Sequence, residues 1–193
     1  MLNDGLTPPK DNRMLAIALC AAAALLLVYS AISHRWLENR KSRYMKAEIS
    51  LRSTNVCMEE DCKYMSNGEL MTMMKDQDPK NASAAFAPMG ITTMVLLLVA
   101  AFALLASAAA AGMKKRITFP MLPTTAALLA LMVALITGCV FVATKPGGVG
   151  GVGVGLGFWA FGIGCVMGIA GAQMITKLIK PVDPDVPADA WTA

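Results

Sequence analysis

AAFAPMGITTMVLLLVAAFALLASAAAAG, residues 84–112, carries no charged side chain. It exceeds the about 20 residues that an α-helix needs to cross the hydrocarbon core of a bilayer. Residues 14–33, 117–144 and 147–176 have the same character, and none of the four stretches contains Asp, Glu, Lys, Arg or His. Hydrophobic residues make up 56% of the 193-residue chain, and mean hydropathy is +0.55. Soluble domains are far more polar. The expected fold is an all-α membrane protein: a four-transmembrane-helix bundle with a small external β-containing loop between helices 1 and 2. Residues 1–13 and 177–193 would be tails, and 34–83 the loop.

Intramembrane ionisable residues mark proton relays and ion paths, so their absence favours a protein that packs and holds over one that pumps. The spans hold no paired carboxylates, metal-ligand cluster or nucleophile–base set, and the single histidine, His34, reads as an interfacial residue. No catalytic residue, cofactor or metal is therefore expected. Net charge is only +4, and the nine basic residues of the loop are nearly matched by eight acidic ones. That balance describes a solvated surface and excludes a nucleic-acid partner. The expected partners are membrane lipids, and other membrane proteins or a second copy of the chain.

Helix contacts in lipid depend on close packing of small side chains. The last stretch holds eleven of the sixteen glycines. Read as one helix, it places Gly147, Gly151 and Gly155 on one face, and Gly164 and Gly168 on another with Ala172. These are the expected helix-packing residues, either inside the bundle or at a dimer face. Trp36 and Trp159 are expected as interface anchors, because amphipathic rings favour headgroup depth. For Trp36 the competing reading is a structural role within the loop.

Lys114-Lys115-Arg116 crowd the short link between the second and third spans. The positive-inside rule puts that link, and with it both termini, on the cytoplasmic side of a plasma or inner membrane. Arg35, Arg40, Lys41, Arg43 and Lys46 after the first span pull the other way. A cleaved signal peptide is the alternative for the first span, but its apolar run exceeds the about 7–15 residues of a typical h-region.

With the loop outside, Cys57 and Cys62 are expected to form a disulfide, whereas a reducing compartment would leave two thiols. Zinc would need about four ligands. Ala47, Ile49 and Leu51 alternate with polar residues as in a half-buried strand running towards Cys57. A second strand is expected near Lys63-Tyr64-Met65. Ser66-Asn67 then offers a helix cap with Glu69 in the first turn, and Asp78-Pro79 a stop. Asn81-Ala82-Ser83 matches the glycosylation sequon, but it abuts a span. Trp191 stands in a Pro-rich tail, where it would dock on a partner or on the membrane surface.

One span, then Trp36, a strand-like 47–56, Cys57, Cys62-Lys63-Tyr64, a capped short helix and three further spans: this order resembles the claudin and peripheral myelin protein superfamily. Gly157-Phe158-Trp159 is similar to the Gly- and Trp-containing last helix of that family. The resemblance implies a first outer loop folded as a small disulfide-pinned sheet. The Gly-Leu-Trp that precedes the first cysteine in the family is replaced here by Arg52-Ser53-Thr54-Asn55-Val56, and the cysteine spacing is shorter. The third link, at 145–150, reads as too short for a second outer loop.

The function expected is a non-catalytic membrane scaffold or accessory subunit. It would associate with a larger membrane complex through Gly/Ala-rich helix faces and the outer loop. The alternative is an oligomeric channel or transporter component, since backbone-lined pores need no charges.

Overall fold

Apolar, Ala- and Leu-rich segments satisfy their backbone groups internally as helices, the arrangement a bilayer demands. In the computed structural model four helices are long and apolar enough to cross a membrane: α1 (Arg13–Ile32), α3 (Phe86–Gly112), α4 (Met121–Ala143) and α5 (Leu156–Leu178). The structure describes residues 12–39, 45–58, 61–77, 79, 82–112, 121–146 and 152–178. Between α1 and α3 lie strands β1 (Leu37–Asn39), β2 (Met45–Ile49), β3 (Ser53–Met58) and β4 (Asp61–Ser66), then the short helix α2 (Asn67–Gln77). A fifth strand, β5 (Val152–Val154), precedes α5. Lys114–Arg116, Asn81 and Trp191 lie outside the described residues.

The sheet is antiparallel in the order β4-β3-β2-β1-β5. Its inner face, with Leu37, Ala47, Ile49, Thr54 and Met65, is buried, while Glu38, Glu48, Asn55 and Tyr64 occupy the other face. The single strand read over 47–56 is two strands. Ser50 breaks it, because its Oγ accepts from the Ser53 amide (2.9 Å) and donates to the Ser53 carbonyl (2.9 Å). Such serine turns compete with ladder pairing.

The fourth span is shorter than its sequence suggests. Residues 152–154 pair with β1, Leu37 opposite Val154 and Asn39 opposite Val152, so helix begins only at Leu156. Glycine is the poorest helix former after proline, and here an extended Gly-rich segment gains a sheet partner instead. The segment 152–154, expected within the fourth span, is instead a strand of the sheet. Gly147 and Gly151 lie outside the described residues. Gly155 is not on a helix face: it sits at the β5–α5 junction, donating its amide to the Trp36 carbonyl (2.8 Å).

In the bundle, α1 packs on α3 and α5, and α4 packs on α3 and α5. The buried face of α1 is mostly small: Ala16, Cys20, Ala23 and Ala24, then Leu27. Gly164 meets Leu26 and Leu27 of α1, and Gly168 meets Leu104, Leu131 and Ala23 from the other three helices. Gly171 lies against Cys20, and Gly138 of α4 receives the ring of Phe161. Thr93 and Thr137 (2.9 Å) and Ser107 and Thr124 (3.3 Å) hydrogen-bond between α3 and α4, each contact worth about 0.6 kcal/mol in lipid. At the far end, the Arg13 guanidinium donates to the Ala111 carbonyl, tying the start of α1 to the end of α3.

Candidate functional site

The Ile32–Leu37 connection is short, and Trp36 in its middle turns inward. Its relative exposure is 0%. The indole Nε1–H donates to the Ser30 carbonyl (2.7 Å), the Trp36 amide donates to Ile49 O (2.9 Å), and the Trp36 carbonyl accepts from Gly155. The ring sits edge-on to Phe141 of α4 and Phe158 of α5, each at 5.9 Å, and tilted against Phe161 at 5.2 Å. Phe141 in turn stacks on Phe86 of α3 at 4.5 Å. Trp36 therefore joins the sheet directly to α1, α4 and α5, and through Phe141 to α3. The interface-anchor reading of Trp36 is corrected: burial of both ring and N–H leaves nothing at headgroup depth. Trp159, two positions after Gly157 on α5, is 58% exposed, as a residue facing out of the bundle must be.

Three glycines make the joint possible. A Cβ on Gly157 would stand 2.8 Å from Trp36 Cδ1 and 2.9 Å from Ser33 Oγ. One on Gly155 would meet the Arg35 carbonyl, and one on Gly90 the carbonyl of Leu51 at the β2–β3 turn. Real Cβ atoms do not tolerate such approaches to backbone, so the sheet is seated on α3 and α5 by backbone contact.

Cys57 and Cys62 face each other across β3 and β4 and are bonded, with Cα atoms 4.0 Å apart. The same hairpin is fastened to α2. Thr54 Oγ1 donates to Asn67 Oδ1 (2.8 Å), Asn67 Nδ2 donates to Ser50 O (3.0 Å), and the Asn67 amide donates to Arg52 O (3.0 Å). Ser66 and Glu69 form a reciprocal cap: the Glu69 amide donates to Ser66 Oγ (3.1 Å) and the Ser66 amide to Glu69 Oε2 (2.8 Å). That backbone donor, then the Ser66 hydroxyl, holds the Glu69 carboxyl below its ordinary pKa.

On the exposed face of the sheet, His34, Glu48, Ser53, Asn55 and Tyr64 line an open cleft of about 260 Å³. Glu48 Oε1 is paired with Arg35 Nε at 3.1 Å. Among the described residues no three His, Cys, Asp or Glu side chains are grouped to hold a metal ion. Cys20 and Cys165 are buried in the bundle, while Cys139 is exposed on α4.

Sequence reasoning placed the strands of the hairpin and the cap but missed β1, β5 and the aromatic cluster. The signals were present. Val152-Gly153-Val154 alternates like an edge strand, and Phe158 and Phe161 are spaced to share a helix face. No protein-family model matches this chain, and no curated protein is similar to it.

Proposed function

We propose that this chain is a non-catalytic integral membrane scaffold or accessory subunit with a claudin-like fold, its termini cytoplasmic and its sheet outside. The observation that carries the reading is the Trp36 joint. Four apolar helices and a disulfide-pinned sheet are held as one body through a single buried ring and three glycine seats. A scaffold needs such rigidity, because a preformed surface loses little ordering entropy when a partner binds. Leu25, Phe102 and Val166 are each more than two-thirds exposed, on helix faces that supply an apolar surface for lipid or neighbouring spans. The bundle interior is filled by Ala, Leu and Phe side chains, so an ion path would have to form between copies.

The test is recovery of the native protein from its membrane in a mild detergent, with mass spectrometry of what comes with it. A stoichiometric complex containing a larger membrane protein is the expected result. A homo-oligomer that conducts ions in liposomes would replace this reading with the channel one.

A further inference from the structure

The cleft on the exposed face of the sheet gathers side chains that packing does not use. Glu48, Asn55 and Tyr64 are direct cross-strand neighbours on β2, β3 and β4, so they form one row on one face. His34, just beyond α1, closes one side of the hollow. Among the described residues neither the His34 imidazole nor the Tyr64 hydroxyl has a partner. Asn55 Oδ1 is 3.9 Å from Cys57 Sγ, but a disulfide sulfur has no proton to donate, so the amide is also open. Glu48 spends one oxygen on Arg35 and keeps the other to accept.

Charge decides what this set selects. The Arg35–Glu48 pair neutralises the carboxylate, so the cleft favours neither a cation nor an anion. What remains is an amide, an imidazole, a carboxylate oxygen and the aromatic ring of Tyr64, a residue 61% exposed. The electron-rich face of Tyr64 attracts the weakly positive C–H groups of a saturated ring, and the polar groups beside it can donate to and accept from hydroxyls. We propose that this cleft binds a neutral sugar ring, free or at the end of a glycan chain. This binding goes beyond the scaffold reading and does not depend on it.

The purified full chain is tested in a polyoxyethylene detergent, because detergents with sugar headgroups would occupy the cleft. The probes are methyl β-glucoside, methyl β-galactoside, methyl α-mannoside and the trisaccharide corresponding to each, followed by saturation-transfer NMR. Transfer concentrated on the C–H protons of one ring face is expected for at least one probe. Tyr64→Ala should weaken it about tenfold, Asn55→Ala should also weaken it, and Tyr64→Phe should retain most of it. Both positions face solvent or the cleft, and unchanged melting curves will separate lost binding from lost folding. Tighter binding of a trisaccharide assigns a glycan chain end as the ligand, and equal binding a free sugar. Absence of transfer to every probe, or transfer unchanged in Tyr64→Ala, overturns the proposal.

Discussion

The indole N–H of Trp36 donates to the carbonyl of Ser30 across 2.7 Å, closing the end of α1 with a side chain six residues further on. Ser30 O also accepts from the Ser33 amide (3.3 Å), so this carbonyl, free of a full helical partner, is satisfied twice. The last turn of the first span and the first strand of the sheet therefore have their relative position fixed by one group.

Replacing that group should be costly. Trp36→Ala removes a fully buried indole and should destabilise the protein by about 3–5 kcal/mol. Trp36→Phe keeps a ring but leaves the Ser30 carbonyl with the longer Ser33 contact alone, and a loss of about 0.5–1.5 kcal/mol is expected from the missing hydrogen bond. Thermal melting in lipid nanodiscs gives the comparison, with exposed Trp159→Ala as the control that should melt like the parent. Equal melting of the Trp36 and Trp159 variants would remove the joint from this account.

Gly90 and Gly162 are both glycines within spans, yet they should respond to alanine in opposite directions. At Gly90 the added methyl runs into the Leu51 carbonyl and comes within 3.0 Å of Phe141, so Gly90→Ala must displace the sheet or break the helix. At Gly162 it meets nothing within 4 Å. There, the higher helix propensity of alanine should stabilise by about 0.5–1 kcal/mol. Melting temperatures of the two variants should straddle that of the parent.

Much of this organisation was legible in the sequence, and what was hidden has physical causes. The four spans, the hairpin over Cys57 and Cys62 and the Ser66–Glu69 cap are local signals of hydropathy, alternation and side-chain chemistry. Trp36 was misread because an aromatic residue at the end of a span looks the same whether it faces lipid headgroups or folds inward. Only the partners on α4, α5 and β2, distant in sequence, decide between them. Residues 152–155 escape a helical reading because small-xxx-small spacing presupposes a helix, and no propensity argument shows that an edge of β1 waits to pair with Val152–Val154. Neither the row Glu48–Asn55–Tyr64 nor its cleft can be seen before the strand register is known.

The cap of α2 should loosen in acid. Hydrogen bonding holds the Glu69 carboxyl below its ordinary pKa in the folded chain. A depressed acid contributes stability that is complete above its unfolded pKa and disappears as pH falls through the folded value. Exchange of the Ser66 amide, read by hydrogen–deuterium exchange and corrected for intrinsic rates, should therefore rise as pH is lowered through the carboxylate range. In Glu69→Ala exchange should be faster at neutral pH and lack this pH dependence. A parent that retains equal Ser66 protection on both sides of the range would contradict the linkage.

The proposed orientation puts position 66 outside and position 115 in the cytoplasm. Single cysteines are introduced there, as Ser66→Cys and Lys115→Cys, into a chain lacking exposed Cys139, and intact cells are treated with a membrane-impermeant thiol reagent. Labelling at 66 and protection at 115 are expected. The reverse pattern would invert the protein and place the Cys57–Cys62 bond in a compartment that disfavours it.

Gly164 and Gly168 test whether the glycines of α5 hold the bundle together. Gly168 has Leu104 and Leu131 each 3.1 Å from where a Cβ would stand, and Gly164 has Leu27 at 3.1 Å and Leu26 at 3.2 Å. A leucine at either place forces helices apart, and overpacking typically costs about 1–3 kcal/mol. The lipid restores little, since a lost helix contact there is not replaced by a hydrophobic gain. Val166 lies between them in sequence but is 70% exposed, so Val166→Leu adds similar chemistry without a neighbour to displace. Gly164→Leu and Gly168→Leu should lower the melting temperature in nanodiscs, and Val166→Leu should not. If all three melt together, α5 does not owe its position to the close approach of α1, α3 and α4 at these glycines.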